Sequence, residues 1–159
     1  MIFFNENEFG EEIRKIIKSY KINDLTYSIT YEGKKQSYFA LLFAIFISHL
    51  TSNFDILFRD KERVKEQILS NLEKYSKDKS IFEKPYLQLL TLTLSALYII
   101  DGEKINFQEE FIKNIKDNKI KILEYLNNFK CLEGKASSGN YAMFLAIILI
   151  YLNNHLGID

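Results

Sequence analysis

The chain has no tryptophan, one cysteine, one proline, six glycines and two histidines, and its 21 basic residues are cancelled by 21 acidic ones. The lone Cys131 excludes an internal disulfide and any CxxC redox or zinc motif, which makes a reducing compartment the expected home. Scarce proline and glycine leave few of the punctuators that strands and tight turns need, and the long intervals between them favour helices. A formal net charge of zero removes the whole-molecule field that would draw nucleic acid or an anionic membrane. Long apolar runs are missing as well. The longest, Tyr141 to Leu152, falls short of the roughly 18–20 residues needed to cross a bilayer, and the run from Tyr38 to Ile47 is shorter still. The opening residues, Met1 to Glu8, have no basic leader, apolar stretch or small-residue cleavage site, so a cytoplasmic location is expected.

What is present is material for a core. Hydrophobic residues make up 47% of 159 positions, with 13 Phe and 10 Tyr, enough to fold one domain without a metal or a disulfide. Two near-duplicate apolar segments stand far apart, Ser37 to Ile45 and Gly139 to Ile147. Small residues recur in each at helical spacing (Ser37, Ala40, Ala44, Ser48; Gly139, Ala142, Ala146), which lets helix backbones approach closely. The pair is open to two readings: two related halves, or chance similarity between two buried helices.

Along the chain, Phe9, Ile13, Ile16, Ile17 and Tyr20 predict an amphipathic helix ending near Lys21. Glu6, Glu8, Glu11 and Glu12 precede Arg14, Lys15, Lys18 and Lys21, as the helix dipole favours; an acidic recognition patch is the other reading. Leu25, Tyr27, Ile29 and Tyr31 then alternate with Thr26, Ser28 and Thr30, predicting the one extended segment. Residues 1–5 offer it a partner strand, the segment could also lie flat over helices, and an edge left open would accept a strand from a binding partner. A helix from about Lys35 to Leu50 is apolar on every side and is expected in the middle of the domain.

Asn53 and Asp55 punctuate the chain before an amphipathic helix from Asp60 to Tyr75, with Val64, Ile68, Leu69, Leu72 and Tyr75 inward. After a polar connector at Lys77 to Ser80, Pro85 suits the first turn of a helix that runs to about Ile100 and closes at Asp101 and Gly102. Shorter amphipathic pieces at Phe107–Ile115 and Ile120–Phe129, a loop at Lys130–Ser138 and a final helix from about Gly139 to Leu156 complete the count. The expected class is all-α, with about seven helices in a single helical domain over 1–159, as an antiparallel bundle or a short αα-hairpin array.

Candidates for chemistry are few. His49 and His155 each sit near the end of an apolar helix, where the dipole accounts for them, and no HxxxH, HExxH or Cys/His cluster supplies further metal ligands. Neither a metal nor a cofactor is expected. The stretch Lys135 to Asn140 could hold an anion at a helix start, or Ser137 or Ser138 is simply the N-cap; it matches neither the Walker loop nor the GxSxG elbow. Asp101, Glu103, Glu109 and Glu110 resemble paired carboxylates but fall around an expected exposed loop, where carboxylates keep ordinary pKa values. There they serve better as a surface for a basic partner.

The closing segment Gly134 to Ile147, together with the small, neutral, all-α plan and a composition rich in Lys, Ile and Asn, resembles the all-α immunity proteins of bacterial polymorphic-toxin and contact-dependent inhibition systems. The resemblance implies a cytoplasmic antitoxin that binds one cognate toxin domain, commonly a nuclease, and blocks it sterically. Partner-binding residues expected on this reading are the acidic Asp101, Glu103, Glu109 and Glu110 and the aromatic Tyr27 and Tyr31. Two alternatives stand beside it: a helical enzyme with a site near residues 135–140, and a homo-oligomeric helical scaffold.

Overall fold

The computed structural model describes residues 6–31, 33–77, 83–102, 117, 119–124, 127 and 136–156. The fold is mostly α, with one small antiparallel hairpin. The chain divides into two compact units, Met1–Tyr75 and Ser76–Asp159.

The first unit opens with α1 (Glu6–Ser19). Ile17 is buried and Ile13 and Tyr20 are half-buried on one face, while Glu8, Glu11, Glu12, Lys15 and Lys18 face water. The chain then turns into β1 (Lys21–Asn23) and β2 (Thr26–Tyr27), paired antiparallel with Lys21 opposite Tyr27 and Asn23 opposite Thr26. The extended segment therefore finds its partner in the residues just before it, through a tight turn at Asp24 and Leu25. A helix ending at Ser19 is what frees Lys21 to pair. The expected partner strand at residues 1–5 lies outside the described residues.

Strict alternation ends at Ser28. Its hydroxyl accepts a hydrogen bond from the Thr30 amide at 3.1 Å, bending the chain so that Ser28 is buried and Ile29 points outward. Both sides of this strand are engaged internally: the Ser28 amide donates to the Tyr20 carbonyl at 2.8 Å, and the Tyr27 carbonyl accepts from the Ser37 amide at 3.0 Å. Ser28 also bridges Gln36. This leaves no open edge at Tyr27 and Ser28 for a partner's strand.

Because Gln36 and Ser37 are held by that pairing, α2 begins at Tyr38 and runs to Leu50. Its end is closed by Thr51, whose amide reaches the Ile47 carbonyl at 3.0 Å, and by Ser52 in a left-handed conformation, φ 55°. A short helix absent from the sequence reading, α3 (Phe54–Leu57), follows, and then α4 (Lys61–Ser76). Asp60 caps α4 by accepting from the Arg63 amide at 3.1 Å.

Aromatic rings pack together within the first unit. Tyr27, Phe58 and Phe54 form a chain of rings with centroids 6.3 and 5.5 Å apart, and Tyr75 receives Tyr38 and Phe39 edge-on. Buried Asn53 ties α1 to the turn after α2. Its Oδ1 accepts from Arg14 Nη1 at 2.6 Å, and its Nδ2 donates to the Gly10 carbonyl and to Thr51 Oγ1, each at 3.1 Å.

In the second unit, α5 (Lys84–Asp101) has Pro85 in its first turn and Gly102, at φ 70°, just past its end, as the sequence predicts. It is the enclosed helix of the described structure, buried on several sides from Tyr86 to Ile100. Thr91 and Ser95 satisfy their hydroxyls on carbonyls four residues back, Leu87 at 2.8 Å and Thr91 at 3.0 Å, so these polar residues sit inside without an orphaned donor. The all-round apolar α2, expected to be central, instead leaves Phe43, Ile47 and Leu50 exposed.

The last helix, α6 (Ala136–Leu156), packs on α5 and buries Phe144, Leu145, Ile148 and Tyr151. It starts earlier than expected, so Ser137 and Ser138 lie inside its first turn rather than capping it. Residues 119–124 are also helical, with Ile122 fully buried. The two near-duplicate segments become α2 and part of α6; Leu42 and its match Phe144 are both buried, but two other matched positions differ. Leu41 is buried where Met143 is exposed, and Phe43 is exposed where Leu145 is buried. No helix among the described residues is long and apolar enough to cross a membrane.

Candidate functional site

The first unit holds an apolar groove of about 250 Å³. The last turn of α1 contributes Ile16 and Ile17, the residue after it Tyr20, and β2 with the bend after it Tyr27, Ser28 and Ile29. From α2 come Ala40, Phe43, Ala44 and Ile47. Ala40 and Ala44, one turn apart, are too short to fill the space between α2 and α1. The small-residue spacing that reads as close packing thus yields a hollow here, flanked by Ile17 and Phe43.

The bend at Ser28 supplies the other wall, since it turns Ile29 outward beside the groove. The hollow opens onto a face of large side chains, Ile16, Ile29, Phe43 and Ile47, each well exposed. Tyr31, 63% exposed, extends this face, its ring standing edge-on to Tyr20 at 5.9 Å.

No residue lining the groove carries a formal charge. The Tyr27 hydroxyl is pushed up to about 12, first by burial and then by the Asp24 carboxylate, so it stays neutral at physiological pH. Ser28 Oγ is already engaged with the Thr30 amide and lies 3.2 Å from Thr30 Oγ1. The lining is suited to burying an apolar side chain from a partner.

The residues singled out by sequence are distributed as follows. Tyr27 is 3% exposed and forms groove wall and core, whereas Tyr31 is open to solvent on the same face. Asp101 is the last residue of α5 in the second unit and is half-buried rather than in an exposed loop. It faces Tyr151 of α6, whose hydroxyl pKa is raised by burial and, secondarily, by the Asp101 carboxylate. Glu103, Glu109, Glu110 and Lys135 lie outside the described residues, as does the side chain of His155. His49 is exposed in the last turn of α2. Among the described residues, no three of His, Cys, Asp and Glu gather into a set able to hold a metal ion.

Sequence reasoning missed Ile16, Ile29, Phe43, Ile47 and Leu50 as surface residues. Phe43, Ile47 and Leu50 fall on one stripe of α2, but a helix apolar on every side has no polar stripe to mark which side faces out. The Ser28-x-Thr30 pair was a usable local signal, because a hydroxyl two residues before an amide favours a bend. In comparisons with known proteins, no family model, curated protein or solved structure matches the chain.

Proposed function

We propose that this chain is a protein-binding module acting by occlusion, in the role of an immunity protein that shields its host from one cognate toxin domain of nuclease type. The observation that carries the reading is the groove of the first unit, an apolar hollow without a charged lining residue whose rim of Ile16, Ile29, Phe43 and Ile47 stands open. Contiguous apolar surface around a pocket is where partner anchors bury and where binding energy concentrates. Exposed Tyr31 adds a ring of the type enriched at interfaces.

Acidic charge flanks this face. Glu8 and Glu12 precede Ile16 at four-residue steps on α1 and are exposed, which complements a basic, nucleic-acid-handling partner. Lys15 neutralises part of that charge through its 2.6 Å pair with Glu12. Glu103, Glu109 and Glu110 are acidic contacts that the reading assigns independently of the groove.

The test is capture from the native cells in mild salt, using tagged wild-type chain and a Phe43→Lys variant checked for folding by circular dichroism. A stoichiometric small basic protein should elute with the wild type, be lost on the variant, and be toxic when expressed without this chain. Equal retention on the variant would exclude the groove as the contact surface. A wild-type chain with no stoichiometric partner would overturn the binding reading.

A further inference from the structure

The first unit carries a knob beside its hole. Phe43, Ile47 and Leu50 follow one another at i, i+4 and i+7 along α2, so Leu50 ends the stripe that walls the groove. Leu50 is 81% exposed, the most open large hydrophobic side chain among the described residues. The hollow of about 250 Å³ is large enough to receive a leucine side chain. A surface bearing both a projection and the recess that fits it is self-complementary, as a two-fold interface requires.

We infer that two copies of this chain associate through this face, their α2 helices antiparallel and the two-fold axis beside Ile47, with Leu50 of each copy seated in the groove of the other. The inference stands whether or not the partner reading holds. Area supports it: at roughly 150–200 Å² per large side chain, Ile16, Ile29, Tyr31, Phe43, Ile47 and Leu50 leave about 500–700 Å² of apolar surface open. That is most of the ~800 Å² per partner of a standard interface, and at the upper end of the roughly 300–600 Å² of the largest apolar patch on a typical monomer.

Charge points the same way. Apart from His49, α2 has no ionisable side chain other than the Tyr38 phenol, and His49 stands two residues from Ile47, off the stripe. Two α2 helices can therefore meet without stranding a charge between them. If the same face also receives a partner, self-association and partner binding exclude one another.

The test is sedimentation velocity on the purified chain alone, from about 1 µM to about 500 µM, a range that brackets the affinity of an interface this size. The wild type should pass from its 18.8 kDa monomer to a dimer. Leu50→Asp and Ile29→Asp, both at well-exposed positions, should weaken the dimer by about a hundredfold or more, because each change enters a two-fold interface twice. Their melting curves should match the wild type, which separates lost association from lost folding. In a Cys131→Ser background, mixed Phe43→Cys and Leu50→Cys chains should form crossed disulfide dimers on mild oxidation. A wild type that stays monomeric across the range overturns the inference. So does a dimer that both aspartate variants leave intact.

Discussion

Replacing Asn53 by alanine should destabilise the first unit by about 2–3 kcal/mol. Asn53 is buried and spends its whole amide on neighbours: Oδ1 accepts from the Arg14 guanidinium at 2.6 Å, and Nδ2 donates to the Gly10 carbonyl and Thr51 Oγ1 at 3.1 Å. The bond from Arg14 is charge-assisted and worth about 1.5–3 kcal/mol, the neutral ones about 0.5–1.5 kcal/mol each. Part of that sum is recovered in the variant. Arg14 lies 3.6 Å from Glu11 and keeps some solvent access, and Thr51 Oγ1 retains its 2.7 Å bond to the Ile47 carbonyl.

For a chain of this length the loss should lower the melting temperature by about 5–10 °C. The assay is a double-mutant cycle of Asn53→Ala and Arg14→Ala followed by urea unfolding, with an expected coupling of about 1–2 kcal/mol. Asn53→Asp should also lose stability despite its charge match with Arg14, since it sets a carboxylate oxygen against the Gly10 carbonyl. Additive single mutants, or an Asn53→Ala change below about 0.5 kcal/mol, would refute the assignment of this amide as the tie between α1 and the α2–α3 turn.

Two glycines should respond in opposite directions. A Cβ on Gly10 would meet nothing closer than 3.7 Å, so Gly10→Ala should stabilise by about 0.5–1 kcal/mol through helix propensity, whereas a Cβ on Gly33 would lie 2.8 Å from the Thr30 carbonyl and against the Ser28 and Thr30 hydroxyls, so Gly33→Ala should destabilise; thermal melts of both check the contrast. Tyr27 should add an alkaline transition. Its hydroxyl pKa is raised to about 12, so its contribution is intact below pH 10, where the unfolded phenol begins to ionise, and is lost as pH climbs toward 12. Tyr27→Phe should flatten that part of the stability profile by roughly 2 kcal/mol in chemical-denaturation series from pH 8 to 12, and an unchanged slope would refute it.

The legible part of this molecule was its local part. Phe9 to Tyr20 and Val64 to Tyr75 carry polar stripes opposite apolar ones, and α1 and α4 appear where those stripes lie; α4 buries its apolar side, whereas α1 buries Ile17 and leaves Phe9 and Ile16 exposed. Pro85 and Gly102 bracket α5 through backbone geometry confined to one turn. The candidate site was barely legible. Of the residues named in advance, Tyr31 alone is described as open beside the groove; Tyr27 became wall and core, and Asp101 came to face Tyr151.

What the sequence determined by itself was the class and most of its helices, because backbone hydrogen bonds, caps and amphipathic stripes are settled among residues a few positions apart. Tertiary structure alone decided that α5 and not α2 is enclosed, that Phe43, Ile47 and Leu50 face outward, and that Ala40 and Ala44 leave a hollow beside α1. Those outcomes depend on which surfaces meet. An all-apolar helix such as α2 is equally content with any side inward, so its outward face is chosen by its neighbours and not by its own residues.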